Sequence, residues 1–461
     1  MVDTVLEGLR ETLGPEGVVT GARALDPFLD GAGKGTRLVR VLPRDSDEAL
    51  EIMALARDAG LKVFSVRSRY LPEGLDNEEG LLVDPARLDH IRAVDSRNMM
   101  AYIGAGVTFE QLRPHLQEAG MRLLTPACAV SPYVVRSYLE RDALVGSVSY
   151  RHQQLSIFHA ALADGSLWVS GTHQMGGEGH ADFREDQGPQ LSTFFGGSED
   201  IYGIPLYGVV YLYPLREERR ELAFGFQEVE SALAFSYQVC REEHCFELVG
   251  GDALWWSVLA GADISTLESL KRELPPWTVL VSLEHHPELV ELQQRRVEST
   301  ALDMGGEGLA PRLAGVLASN LGRPWYEWER AYYRGRVRPV SCYTGGEKAA
   351  AILDLAARPP GREGSQIDVA RCFVPVFFGG AFYCHSDIHY PPAEEEKAAQ
   401  RWRDAYTSIL DAGAMVDRAS GELGRMVFSR AKPSYLEMIK RLKRILDPGG
   451  RLNPGQLLEG I

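Results

Sequence analysis

The sequence predicts an α+β fold divided among more than one domain, and three observations carry that prediction. The chain has 461 residues, whereas one domain usually holds about 100–200. A strand–helix–strand pattern over 38–66 is followed by alternating β segments with tight turns between them. Hydrophobic residues make up 45% of the chain and charged residues 25%. That is apolar enough to build cores, which excludes disorder as the main state.

The elements follow in order. Val5, Leu6, Leu9 and Leu13 recur at helical spacing and lead into a loop rich in Gly and Asp. LVRVLP is an apolar strand stopped by Pro43. Asp45 or Ser46 then caps a helix whose end is marked by Gly60, and KVFSV (62–66) is the next strand. Such a unit predicts a parallel pair with a right-handed crossover. GLLVD (80–84), the span 91–94 and MAYIGAGV (100–107) read as further strands. Thr108 with Gln111 forms a capping-box pattern at the head of a helix. FHAALADGSLWVSG (158–171) reads as a hairpin turning at Asp164-Gly165, and YGVVYLYPL as an alternating strand. Beyond residue 216 come charged helices and the β segments ELAFGFQ, WTVLVSLEHH, CFVPVFFGG and AFYCHSDIHY, then helices over 394–413 and 434–446. WYEWERAYYRGR (325–336) interleaves aromatic and charged residues. It fits an amphipathic helix better than a nucleotide-stacking platform on so acidic a chain.

Charge and cysteine usage exclude several functions. Lys and Arg total 49 against 64 Asp and Glu, a net charge of −15. Nucleic-acid binding needs the opposite sign. The six cysteines form no CxxC pair, which fits a reducing cytoplasm better than a disulfide framework. The first residues carry acidic side chains and no apolar core of a secretory signal. No apolar run approaches the roughly 20 residues of a membrane helix.

Two constellations carry chemistry. His385, Asp387 and His389 alternate along one strand and so share a face. They are a hydrogen-bonded cluster or acid/base groups of a substrate pocket; a zinc or iron site is the less favoured reading. Cys240, Cys245 and His244 form a weaker thiol–imidazole group, for which buried free thiols are the plainer reading.

The motif order resembles the flavin-linked oxidases of the vanillyl-alcohol oxidase and p-cresol methylhydroxylase type. The resemblance lies in LPRDSDEALEIMALARDAGLKVFSV, in LLVDPARLDHIRAVDSRNMMAYIGAGVTFEQLRPHLQEAG, and in FHAALADGSLWVSGT. It continues in GPQLSTFFGGSEDIYGIPLYGVVYLYP and IKRLKRILDPGGRLNPGQLL. It implies an FAD-binding domain of two α+β subdomains at 1–216, an inserted cap with an antiparallel sheet at 217–390, and a return to the flavin side at 391–461. It further implies FAD contacts from Arg67, Ser68 and Arg69 after the second strand, from Gly197, Ser198, Gly203 and Ile204 beside the adenine half, and from Asn453 in the closing signature. Tyr390 falls where a tyrosine can be linked covalently to the flavin. Arg418 falls where an arginine stabilises the reduced ring, and His385, Asp387 or His389 would assist proton transfer.

The sequence departs from the family in two loops. The stretch SVRSRYLPE (65–73) has no glycine before Gly74, and TPACAVSPYVVRSYLERDALVGS (125–147) none before Gly146. Tyr133, Val134, Val135 and Arg136 stand where small residues let a dinucleotide approach. Asp417 replaces a phenol-binding tyrosine, and Leu423 in SGELG replaces a histidine of related 2-hydroxy-acid enzymes. Three readings follow. One is an FAD-linked oxidoreductase subunit passing a hydride from an aromatic alcohol, alkylphenol or hydroxy acid to flavin and on to a protein acceptor. Another is a flavin-free pseudo-enzyme acting as scaffold or regulatory subunit in a hetero-oligomer with a paralogous flavoprotein. The last is a binder of another small molecule in the emptied cleft.

Overall fold

A computed structural model describes the chain except residues 1, 27, 29–35, 72–74, 76–77, 147–153, 177–181, 262, 320–321, 358–365 and 458–461. Most of the Gly/Asp-rich loop, Pro72, Glu73, Gly74 and Ser147 therefore lie outside the described residues.

The helix Val2–Leu13 and the helix Ser46–Ala59 cover a four-stranded sheet, burying Leu9, Leu13, Ile52 and Met53 against Val39, Val41 and Leu81. Asp45 caps the second helix by accepting from Glu48 N at 2.9 Å, and Gly60 ends it at φ 69°. The sheet order is Val18–Val19, Arg37–Val41, Glu79–Val83, Lys62–Ser65. The expected parallel strands are therefore not neighbours: each pairs in parallel with Glu79–Val83, which slots between them. A five-stranded antiparallel sheet follows, ordered Ile91–Asp95, Met100–Gly104, Ile204–Tyr211, Leu155–Ala161, Leu167–Val169. The Thr108–Gln111 capping box forms at the head of Phe109–Glu118.

The larger unit is an eight-stranded antiparallel sheet. Its order is Glu307–Gly308, Glu218–Phe226, Trp277–His285, Glu247–Asp252, Asp368–Val376, Ala381–Tyr390, Arg336–Thr344, Met415–Val416. One face buries Phe235, Val297, Ile352 and Ile409 from four helices. The other buries Trp255, Trp256 and Trp325, and on this face the core runs on into Ala127, Cys128, Ala143 and Val145 of the first region. A continuous apolar core thus joins the two regions.

The helix Glu395–Asp411 packs into the core of the large sheet, and the strand Met415–Val416 is its edge. One expectation changes. WYEWERAYYRGR is not one amphipathic helix. It holds the single turn Glu327–Arg330 and a 3-10 turn, because Trp325 and Arg330 are drawn inward by the seam.

Candidate functional site

A cavity of about 770 Å³ opens along this seam, within the roughly 300–1,000 Å³ of ordinary ligand sites. It reaches solvent past the exposed Gly335 and Arg336. Arg67, Ser68, Arg69, Tyr390, Arg418 and His385 all line it, so the fold does bring these sequence-selected residues together.

One wall is built from the first region. The strand Lys62–Ser65 delivers Arg67 at its end, and the six-residue helix Val134–Leu139 delivers Arg136. That helix is fully buried, and a Cβ on Gly208 would sit 2.8 Å from Val135. The bulky residues of this loop are therefore packed against the neighbouring sheet. Glu199 and Asp200 follow on the segment leading into Ile204–Tyr211, with φ of 55° and 56°. Left-handed backbone costs a non-glycine residue about 1–2 kcal/mol, and here it is held by charge. Glu199 pairs with Arg67, and Asp200 with Arg136. Ser65 Oγ donates to Asp200 at 2.7 Å, and Asn453 clamps both by accepting from Ser65 N at 2.9 Å and donating to the Asp200 carbonyl at 3.1 Å. Arg418 pairs with buried Asp142, which also accepts from Ser137 Oγ at 2.6 Å. Glu140, buried and beside Asp200, has its carboxyl pushed up to about 7, first by burial and then by that neighbouring charge.

The remaining family-implied contacts are spent locally. Gly197 takes φ 72°, and a Cβ there would overlap the Arg141 guanidinium. Gly197 N donates to Leu139 O at 3.1 Å and Ser198 N to Phe195 O at 3.2 Å. A Cβ on Gly203 would meet Ala161 O at 3.1 Å, and Ile204 opens a central strand. Ser68 Oγ accepts from Tyr70 N at 3.0 Å, and Arg69 lies 5.8 Å over the Trp328 ring. Tyr390 OH donates to Glu395 at 3.0 Å, and burial, with the Glu395 charge adding to it, pushes its phenol up to about 12.

The opposite wall comes from the large sheet. The two-residue period of Ala381–Tyr390 turns His385, Asp387 and His389 to the seam, as expected, but they are not equivalent. Asp387 accepts from Arg330 Nε at 2.5 Å and Nη2 at 3.2 Å, and lies 2.9 Å from His385 Nε2. His385 Nδ1 is 3.2 Å from Tyr383 OH. Burial opposes every charge here. The Arg330 guanidinium nevertheless holds Asp387 far below the usual carboxylate range, and Cys128 and Asp387 raise His385. His389 lies outside the cavity lining, edge-on to Tyr333 at 5.4 Å, with no hydrogen-bond partner at either ring nitrogen; burial lowers it to about 4. Among the described residues no group of three or more His, Cys, Asp or Glu is arranged to hold a metal. Sequence reasoning missed Arg330, Cys128 and the pairing role of Glu199 and Asp200. None of these lies near its partner in the chain.

Residues 38–169 match a family model described as an FAD binding domain. The fold is that of p-cresol methylhydroxylase, solved with substrate bound, at TM-score 0.83 and 16% identity over 99% of this chain and 97% of that one. The 4-ethylphenol oxidase of Gulosibacter chungangensis superposes at TM-score 0.82 and 16% identity, over 100% and 98%. A D-lactate dehydrogenase of Archaeoglobus fulgidus is 25% identical over 209 residues, which is 44% of this chain and 45% of that protein, so the chain matches about half the length of this relative. These findings bear out the resemblance in fold and in the FAD-binding segment. Among the described residues no helix is long and apolar enough to cross a membrane.

The residues meet an FAD unequally. The seam cavity has room for a flavin ring, with Tyr390 and Arg418 on its lining. The end expected to face the diphosphate does not fit one, since Arg67 and Arg136 already hold carboxylates, and beside the adenine half the backbone donors at 197 and 198 are already bonded.

Proposed function

We propose, from the premise that this chain carries an FAD binding domain in the fold of p-cresol methylhydroxylase, that it keeps the flavoprotein scaffold without holding FAD and serves as a scaffold or regulatory subunit beside an active paralogue. The observation that carries this reading is the pair of buried ion pairs Arg67–Glu199 and Arg136–Asp200. A diphosphate that took both arginines would leave two buried carboxylates without their cationic partners. Each such loss costs about 3–5 kcal/mol. Together they match the roughly 8 kcal/mol of a micromolar ligand.

The test is the visible spectrum of the purified full chain, before and after incubation with excess FAD and desalting. No flavin band is expected in either sample. The Glu199→Gln, Asp200→Asn double variant, which removes both competing charges, is expected to gain measurable FAD binding by calorimetry. A stoichiometric flavin band in the unaltered protein overturns the proposal.

A second reading, an FAD-linked oxidoreductase passing electrons to a protein partner, is favoured by the placing of Tyr390 and Arg418 on one open cavity. Bound flavin would supply the hydride acceptor. Tyr390 would tether it, Arg418 would face its reduced form, and His385 with Asp387 would move the substrate proton. Asp417, also on the lining, would repel a phenolate. If flavin is found, Tyr390→Phe releases it into an acid supernatant only where the tether exists.

A further inference from the structure

Side chains two residues apart on a strand share a face, so Tyr383 stands beside His385 and Asp387 on the seam side of Ala381–Tyr390. Tyr383 and His385 line the cavity, while Asp387 lies behind them. Arg330 donates to Asp387 through Nε at 2.5 Å and Nη2 at 3.2 Å. Asp387 is therefore an ionised acceptor, and His385 Nε2, 2.9 Å away, must carry the proton between them. Nδ1 is left to Tyr383 OH at 3.2 Å. Burial opposes a charge on His385, but Cys128 and Asp387 raise it above the ordinary imidazole range. A charged ring carries N–H at both nitrogens. Nδ1–H then donates to the phenol oxygen, and the phenol's own proton points away from the relay. Burial, with the Asp417 charge adding to it, pushes the Tyr383 phenol up, so it keeps that proton. Among the described residues the Tyr383 hydroxyl has no hydrogen-bond partner besides His385. The relay thus ends in an O–H donor on a cavity wall, strengthened by the cation behind it.

We infer that the seam cavity binds a neutral carbonyl compound, an aryl ketone or aldehyde, whose oxygen accepts a hydrogen bond from Tyr383 OH. The acceptor must be an oxygen, and two observations make it a neutral one. Asp417 is on the same lining, and its charge is felt at the Tyr383 hydroxyl, so an anion placed there is repelled. The arginines that could offset this repulsion are already paired: Arg67 with Glu199, Arg136 with Asp200, Arg330 with Asp387 and Arg418 with Asp142. Trp328, Trp402, Tyr406 and Leu423 on the lining give apolar contact to the body of an aryl ligand. His385, Asp387 and Arg330 are positioning residues that fix the direction of the Tyr383 donor. The ligand is held and its carbonyl polarised; no bond is made or broken. The inference does not rest on the flavin-free reading, because Tyr383 and His385 belong to the large sheet and not to the arginine wall.

The test adds acetophenone with an isotope-labelled carbonyl to the purified full chain and reads the bound carbonyl stretch by difference infrared spectroscopy. Saturable binding is expected, with the bound band well below its position in hexane. Tyr383→Phe keeps the ring and removes the donor. It is expected to weaken binding by no more than about tenfold, the weight of one hydrogen bond, and to return the band toward the hexane position. His385→Gln is expected to lose part of the band shift, which a merely structural role would not move. Absence of saturable binding, or a hexane-like bound band in the unaltered chain, overturns the inference. An equally lowered band in Tyr383→Phe overturns it too. Two of these outcomes use only the unaltered protein, so a variant that fails to fold leaves the inference falsifiable. No arm reads flavin: a flavin band in the purified protein would overturn the reading above and leave this one standing.

Discussion

The two walls of the seam cavity are both built from buried charge, yet they leave different chemistry exposed. The wall opposite the large sheet pairs three arginines with carboxylates: Arg67 with Glu199, Arg136 with Asp200 and, from the C-terminal segment, Arg418 with Asp142. These charges meet one another, while Arg136 Nε and Nη1 and Arg418 Nε have no hydrogen-bond partner among the described residues. The large-sheet wall is a relay in which Arg330 steadies Asp387 and Asp387 steadies His385, whose other ring nitrogen lies 3.2 Å from Tyr383 OH. Equal burial therefore yields mutually neutralised pairs on one side and, on the other, a relay whose last imidazole lines the cavity.

The comparison breaks most severely at Arg330. Arg330→Met leaves Asp387 buried with His385 as its remaining cationic neighbour. The expected loss is about 3–5 kcal/mol in urea unfolding, because a buried charge loses its partner. Near-unchanged stability would show that the relay is not load-carrying in the fold.

A smaller effect sharpens the other wall. Glu140 is held above its ordinary range, up to about 7, by burial first and then by Asp200. The folded state then binds the proton more tightly than the unfolded one, so this group lowers stability as pH rises from about 4.5 to about 7. Glu140→Gln is expected to flatten that decline and add about 3 kcal/mol at most above pH 7. Denaturant midpoints across pH 5–8 in both proteins check it; parallel curves would refute the assignment.

The smallest effect is at the rim. Arg69 lies 5.8 Å over Trp328, and a solvent-facing contact of this kind contributes about 0.5–1 kcal/mol. Arg69→Ala should therefore cost no more than that and leave both walls intact. A larger loss by thermal melting would assign Arg69 to the closed network.

Much of the fold was legible because its signals are local. Asp45 and Thr108 cap helices as their spacing implies, Gly165 turns its hairpin at φ 83°, and the alternation of 385, 387 and 389 turned out to be real. Strand order was not, since Glu79–Val83 enters between two strands that are nearer each other in the chain. The absence of small residues at 65–73 and 133–136 is legible in the sequence, but the carboxylates that Arg67 and Arg136 meet in the fold are not. Glu199 and Asp200 lie in a stretch that reads as an ordinary family segment, and only the tertiary approach of Arg67 and Arg136 reveals their part.

The Trp255, Trp256 and Trp325 cluster extends without interruption into Ala127, Ala143 and Val145. Two regions that share one apolar interior do not hinge apart cheaply. Pulling the halves apart would open that shared interior to water, so the two are expected to melt as a single cooperative unit.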